Sequence, residues 1–251
     1  ISDFSGFMVA GRNVGLSLSV VTMLGTELGL ITIMYNAQAG VNGLFSAFHI
    51  GLAAFLVTLF IGMTGFVIVK LRELKVKSIP EYYNIRFGKN TRIIGAILLS
   101  LGGILNMGLF LKVGSVFIQN IFGFYSNDLS LIIIMCVLLI LVLVYTMLGG
   151  MISVIVTDYI QYIVLSVGFL ISIYYSIKTI GWQNIFINLE NIKTYEVIYN
   201  PIKNMGPIYI SWQVVLGFVS AVIWPTAITR ALAIKDVSLV KKQYMWSSFS
   251  F

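Results

Sequence analysis

Three ionisable side chains, those of Glu27, Lys112 and Asp158, lie within long apolar stretches of the sequence. Charged groups in such surroundings are costly to desolvate, so they persist where they bind an ion, a substrate or one another. No nucleophile with an adjacent base and no metal-ligand cluster accompanies them. The chemistry that they indicate is the reversible binding of cations and charged solutes. We therefore expect a carrier or binding protein and not an enzyme.

Glu27 lies between two glycines, Gly25 and Gly29, in an apolar segment that also contains Thr26 and Thr32. Each glycine costs about 1 kcal/mol relative to alanine in a helix, so we expect the helix to be broken here. A broken membrane helix exposes backbone carbonyls that transporters use to bind cations and substrates. The alternative is that the glycines permit close helix packing, with Glu27 paired to a basic residue.

Asp158 is predicted to lie about two turns inside the membrane, too deep for its short side chain to reach water. Gln161, three residues further on, is expected to share its helix face. An ion-handling role and pairing with an arginine on the inner side are both open. Lys112 either extends toward the outer surface or pairs with Glu27.

Two further features concern helix packing and helix continuity. His49, the single histidine, is predicted to be a hydrogen-bonded packing residue more than a proton relay. Trp224-Pro225 interrupts another apolar run, because proline removes a backbone donor and kinks a helix. The sequence thus predicts two interrupted spans.

The stretches that carry these residues are long enough to cross a membrane. Of all residues, 59% are hydrophobic and 10% are charged, against about a quarter charged in soluble domains. A spanning helix needs about 20 apolar residues. We predict spans at about 14–38, 44–69, 92–122, 129–148, 152–177 and 207–232, with a seventh starting near 244.

The net charge of +7 does not indicate a nucleic-acid partner, because the basic residues are concentrated in loops. The loop at about 70–92 is predicted to be cytoplasmic by the positive-inside rule, which places the loop at about 178–206 outside, with room for a short interfacial helix. Seven basic residues crowd the cytoplasmic loop: Lys70, Arg72, Lys75, Lys77, Arg86, Lys89 and Arg92.

Cofactor chemistry has little support in the sequence. With one cysteine, Cys136, and one histidine, neither a disulfide nor a cysteine or histidine metal cluster is expected, and no glycine-rich phosphate loop is present. The chain begins without methionine and ends as an apolar stretch starts. We expect residues 1–251 to be a single transmembrane domain, a fragment of a longer protein.

Four blocks of sequence resemble the sodium:solute symporter family of the sodium/glucose and sodium/proline cotransporters, in the family's order and spacing. The Pro-Glu-Tyr block with Arg-Phe-Gly and the Gly-Gly block that leads to Thr-Asp-x-x-Gln are the most distinctive. The four blocks are 3–12, 79–88, 145–161 and 230–236.

This resemblance implies an all-α, polytopic membrane protein with a LeuT-type inverted-repeat bundle, of which the chain would hold the first repeat and the start of the second. The first helix of each repeat would be unwound, matching the two interrupted spans. Sodium would be bound by the carbonyls of Gly25 and Leu28, together with a helix that this chain lacks. Asp158 would serve a second sodium position or the route inward.

The resemblance also suggests substrate-binding residues: Glu27, Gly29 and Thr32 in the first span, with Trp224 and Thr226 in the sixth. The polar contacts of the sugar-transporting branch are not apparent. An amino acid or organic acid fits better, because a Glu27/Lys112 pair and half-helix N-termini attract a carboxylate.

The expected function is sodium-coupled symport of a small organic solute by alternating access in the plasma (inner) membrane. The partners would be sodium, the solute and the lipid bilayer, with no nucleic acid and no cofactor besides the coupling ion. The alternative is a membrane-embedded sensory input module of a larger signalling protein, which can use the same fold.

Overall fold

The computed structural model describes residues 4–123, 127–192 and 195–249. Every regular element within these ranges is helical, which confirms the predicted all-α class. Two 3₁₀ segments, Ala10–Arg12 and Leu44–Phe48, accompany the α-helices. The α-helices are α1 (Phe4–Val9), α2 (Leu16–Glu27), α3 (Leu30–Gly43), α4 (His49–Thr64), α5 (Ile68–Glu73), α6 (Ile79–Phe87), α7 (Lys89–Phe122), α8 (Asp128–Ile180), α9 (Trp182–Ile192), α10 (Tyr195–Tyr199), α11 (Pro201–Met205), α12 (Pro207–Ile223), α13 (Pro225–Leu232) and α14 (Val237–Ser248).

Three helical stretches of the described chain are long and apolar enough to cross a membrane: Leu30–Thr64, α7 and α8. The bent pair α12 and α13 is a fourth when it is counted as one span. α8 has 53 residues and consists of two helices that join at a kink at Gly150, each long enough at about 1.5 Å per residue to cross a hydrocarbon core of about 30 Å. It therefore has the length of the predicted fourth and fifth spans together.

The backbone leaves helical geometry inside α8 at a single residue, Gly150, which has φ 55° and ψ −147°. The sequence predicts a tight turn at Gly149 and Gly150, because glycine supplies the backbone freedom that a turn needs, and the helix is interrupted at the second of these two residues. A side chain at Gly150 would meet Phe7 of α1, with its Cβ 2.8 Å from the phenyl ring. Glycine is thus required here both by the positive φ and by the close approach of α1.

Both predicted helix breaks are present. α2 ends at Glu27, and the extended backbone of Gly29, with φ −87° and ψ 168°, precedes α3. Trp224, with φ −68° and ψ 125°, separates α12 from α13, whose axes differ by 43°. Pro225 explains the second break because it has no N–H to donate to the preceding turn.

The buried core lies where α2, α4, α5, α13 and α14 meet. Met23, Ile61, Leu71 and Ile228 pack there, and the fully buried Tyr244 donates its hydroxyl proton to the carbonyl of Ala221 at 3.1 Å. The region predicted as the start of a seventh span thus belongs to α14, which packs against the first two spans.

One residue of the basic loop at about 70–92 has a structural role. Arg72 is buried, and it donates to the carbonyl of Ile234 from Nε at 3.0 Å and from Nη2 at 2.7 Å. Burial, and then the positive charge of Arg12, lower the pKa of Arg72. The contact fixes α5 to the segment that follows α13.

The predicted outer loop is largely helical, since α9, α10 and α11 lie within it. Asn204 anchors α11, because its side-chain amide donates to the carbonyl of Gly43 at 2.8 Å and to the hydroxyl of Ser46 at 2.7 Å. A surface ion pair joins Lys203 to Glu196 and lowers the pKa of Glu196.

Gly25 provides the first test of this packing. A Cβ atom at Gly25 would lie 2.5 Å from the carbonyl oxygen of Asp158, so Gly25→Ala is expected to destabilise the protein by about 1–3 kcal/mol through overpacking. Gly40→Ala in α3 is the matched control, because nothing lies within 4 Å of the added Cβ, and it should stabilise by up to about 1 kcal/mol. Thermal unfolding in detergent compares the two. Equal midpoints for both variants would contradict the close approach of α2 to α8.

Candidate functional site

Asp158 is the centre of a buried polar cluster that joins three helices. Its Oδ2 accepts hydrogen bonds from Thr22 Oγ1, from Thr26 Oγ1 at 3.2 Å and from Arg230 Nη2 at 3.0 Å. Thr22 and Thr26 are four residues apart and therefore lie on one face of α2, while Arg230 lies on α13. The carboxylate of α8 is thus compensated by one cation and two hydroxyl groups.

This cluster bears on two expectations about Asp158. The carboxylate is paired, so sodium is not required to balance its charge; pairing with an inner arginine, the alternative left open by the sequence, is what the structure contains. Gln161 does not join the cluster, because its side chain is exposed whereas Asp158 is 7% exposed. The two residues are about 60° apart around the helix axis, and the exposed edge of α8 begins within that angle.

Gly25 lies directly against this cluster. Its α-carbon faces the backbone of Asp158 with no room for a side chain, which is the close helix packing that the sequence left as an alternative. Its carbonyl belongs to the last turn of α2. The same glycine therefore serves packing through its α-carbon and remains a predicted sodium ligand through its carbonyl oxygen.

The break between α2 and α3 exposes backbone groups of both signs. The last turn of α2 closes with the N–H of Leu28 donating to the carbonyl of Leu24 at 2.8 Å. The final four carbonyls of a helix lack intrahelical donors, and the first four N–H groups of the next helix lack acceptors. The partial negative end of α2 and the partial positive end of α3 consequently meet at Leu28 and Gly29.

Glu27 faces two neighbouring cavities, of ≈ 80 Å³ and ≈ 300 Å³. Ala54 of α4 and Ser220 of α12 line both, and Thr58 of α4 contributes a hydroxyl to the smaller one. The larger cavity is in the lower part of the size range of small-molecule sites. Its other polar wall residues are Thr32, Tyr35, Asn36 and Gln213.

The expected pair between Glu27 and Lys112 is wrong. Lys112 is exposed on α7, and no ion pair within residues 4–123, 127–192 and 195–249 joins it to Glu27. The position agrees with the alternative in which Lys112 extends toward the surface. The guanidinium of Arg230 is hydrogen-bonded to Asp158.

The structure brings three of the predicted solute or ion residues to one cavity: Glu27, Leu28 and Thr32 all line it. Gly29 faces elsewhere, with its missing Cβ 3.6 Å from the ring of Phe110 on α7.

The predicted contribution of Trp224 and Thr226 is not supported by the geometry. The indole of Trp224 lies 4.0 Å from the Cβ position of Gly102 on α7, and the carbonyl of Thr226 accepts from Thr229 Oγ1 at 2.9 Å. Neither residue lines the cavities next to Glu27. Trp224 thus faces α7, whereas Ala227, just after the break, lines the smaller cavity.

α12 contributes to the wall of the larger cavity with residues that lie one to three turns before the break: Gln213, Leu216, Gly217 and Ser220. Their spacing of i, i+3, i+4 and i+7 is that of a single helix face. This spacing is present in the sequence and could have identified Gln213, which our sequence analysis missed.

A second polar network, which the sequence analysis also missed, joins α3 to α12. Gln213 Nε2 donates to the hydroxyls of Tyr35 and Tyr209, both at 2.8 Å, and the two hydroxyls are 3.0 Å apart. Tyr35 lines both the larger Glu27 cavity and an outer cavity of ≈ 310 Å³. The network therefore lies where the two cavities adjoin.

His49 is buried beside this network. Its Nδ1 is 2.8 Å from the carbonyl of Ser46, and its ring meets the ring of Tyr209 edge-on at 5.9 Å. This is the packing role that the sequence predicted.

The comparisons with known proteins agree with this architecture. The family model described as "Sodium:solute symporter family" matches residues 7–251. A search of curated proteins and a search of solved structures each found no match. Because the family match covers nearly the whole chain, this membrane protein belongs to the sodium:solute symporter family, whose members couple the transport of a solute to sodium.

Proposed function

We propose that the protein moves a small organic solute together with sodium by alternating access around the break between α2 and α3. The observation that carries the proposal is that the carboxylate of Glu27 lines two neighbouring cavities at the break between α2 and α3. The other interrupted span, α12 and α13, also contributes residues to their walls. Interrupted helices near the midplane are how secondary transporters form their ion and substrate sites. In this proposal the chain supplies the first LeuT-type repeat and the start of the second, in the plasma membrane.

Sodium, in this proposal, is bound by the carbonyl oxygens of Gly25 and Leu28, with Glu27 supplying a negative charge nearby. The support is the helix end at Glu27, which leaves the carbonyls of the last turn without intrahelical donors. Sodium prefers such hard oxygen ligands, and the negative end of the α2 dipole favours a cation at the same place.

The solute is proposed to occupy the ≈ 300 Å³ cavity, with its polar groups at Glu27, Thr32, Gln213 and Ser220. An amino acid fits this wall, because its ammonium group faces Glu27 and its carboxylate can meet the free N–H groups at the start of α3. The organic acid that the sequence analysis also allowed loses its support, since the cation expected beside Glu27 is absent from the described cavity wall. Gln213 and Ser220 replace Trp224 and Thr226 as the proposed contacts from the sixth span.

Two polar clusters are proposed to close the two sides of the cavity. The network of Tyr35, Tyr209 and Gln213 holds α3 to α12 on the outer side, and the pair of Asp158 and Arg230 holds α8 to α13 on the inner side. Opening the inner side would separate Arg230 from Asp158. The freed carboxylate would then face sodium on its way to the cytoplasm, which is how Asp158 would serve the cation.

The role of Glu27 in sodium binding is tested by removing its charge. Glu27→Gln should raise the half-saturating sodium concentration by about tenfold or more, because an interaction with a charged group is worth about 1.5–3 kcal/mol, and Glu27→Asp should have a smaller effect. Glu73→Gln is the control, since Glu73 is an exposed acid of the cytoplasmic loop. The measurement is uptake of radiolabelled amino acids, as sodium is varied, into proteoliposomes that contain the full-length protein. Normal sodium dependence in Glu27→Gln would exclude Glu27 from the ion site.

The inner closure is tested by a double-mutant cycle. Asp158→Asn and Arg230→Gln should each destabilise the protein by about 3–5 kcal/mol, because each leaves a buried partner charge uncompensated. The double variant should be more stable than the sum of the two losses predicts, since both charges are then gone. Thermal unfolding midpoints give the cycle, and strictly additive losses would show that the two side chains are not coupled.

A further inference from the structure

A separate cavity of ≈ 240 Å³ lies on the side of the molecule that carries the basic loop. It is enclosed by residues of α1, α6, α7 and α13, and it shares no wall residue with the two cavities beside Glu27. Most of its wall is apolar, with Met8, Ile79, Leu99 and Ile228 among the lining residues. The transport path proposed above makes no use of it.

The wall of this cavity combines loop residues with membrane residues. Lys77 and Ser78 come from the basic loop, whereas Ala96, Leu99 and Ser100 lie two to three turns along α7, inside the stretch that can cross a membrane. A cavity built in this way is reached from the level where phospholipid headgroups give way to acyl chains.

Positive charge is concentrated beside the cavity. Lys77 lines it, and Arg12 reaches the chain just before Lys77, because Arg12 Nη2 donates to the carbonyls of Lys75 and Val76. Arg12 Nε is buried and has no hydrogen-bond partner in the part of the chain that the structure describes. An acidic residue, Glu81, lies nearby at the start of α6. Its Oε2 accepts a hydrogen bond from the backbone N–H of Lys77 at 2.6 Å, so one of its two carboxylate oxygens is already hydrogen-bonded.

We propose that this cavity binds an anionic phospholipid, with an acyl chain among the apolar residues and the phosphate at Lys77. Basic pockets between transmembrane helices on the cytoplasmic side suit anionic headgroups, and an apolar wall suits an acyl chain and not a free phosphate. A soluble anion would leave the apolar part of the cavity unfilled.

Such a lipid would act on the helix that carries Arg230. Pro225, Ile228 and Thr229 of α13 line the cavity, and Arg230 follows directly and bonds to Asp158. An acyl chain between α13 and α7 would fill the space into which α13 could move. The bound lipid should therefore favour the conformation in which the pair of Asp158 and Arg230 is intact.

The test is a titration of the purified, delipidated protein with phosphatidylglycerol and with phosphatidylcholine of the same acyl chains, followed by native mass spectrometry. One site should prefer phosphatidylglycerol by about fivefold per cationic contact. Lys77→Gln should lower that preference by about fivefold. Lys89→Gln is the matched control, since Lys89 is in the same loop but does not line the cavity, and it should retain the preference.

Two further arms separate the cavity from general surface charge. Ala96→Phe, which fills the cavity, should remove the tight site for both lipids, whereas Leu98→Phe on the exposed side of α7 should not. Glycerol phosphate should fail to compete. The proposal is overturned if Lys89→Gln weakens binding as much as Lys77→Gln, if glycerol phosphate competes fully, or if a folded Ala96→Phe variant keeps the site. If Ala96→Phe does not fold, the comparison of Lys77→Gln with Lys89→Gln decides.

Discussion

The site depends on one constraint: the backbone N–H and C=O groups that lose their helical partners at the two breaks must find other partners. Inside a membrane no water is available to replace a lost helical hydrogen bond, so the break after Glu27 and the break at Trp224 must lie where protein groups or bound ions can satisfy them. Both breaks adjoin the same core of α2, α4 and α12. The cavity beside Glu27 is the space that this arrangement leaves for an ion and a solute.

The helices around the cavity are held by contacts that only small or polar side chains permit. Gly25 brings α2 against the backbone of Asp158, and Gly62 brings α4 equally close to α14, with its Cβ position 2.6 Å from the N–H nitrogen of Met245. The buried carboxylate of Asp158 then ties α2 and α13 to α8. Without a hydrophobic driving force between membrane helices, such close packing and interhelical hydrogen bonds provide the association energy.

Much of the fold could be predicted from the sequence. Hydropathy located the apolar stretches of α7, α8 and the α12–α13 pair, whereas the stretch Leu30–Thr64 joins parts of the predicted first and second spans. The residues Gly25, Gly29 and Pro225 correctly predicted both breaks because their backbone effects are local. Side-chain partners were harder to predict, since they depend on which helix faces which. Pairing with Glu27 was one of two alternatives left open for Lys112, and the arginine allowed as a partner of Asp158 could be identified as Arg230 only in the structure. Gln213 was not predicted, although its spacing from Ser220 places both on one face of α12.

The central claim, a sodium site at the break between α2 and α3, is tested most directly by equilibrium binding of radioactive sodium to the purified protein. The account predicts saturable binding that unlabelled sodium displaces and that potassium at the same concentration does not. Saturable binding should persist in the absence of any solute, because the proposed ligands are backbone carbonyls already exposed by the break. Absence of saturable binding, or equal displacement by potassium, would contradict the account.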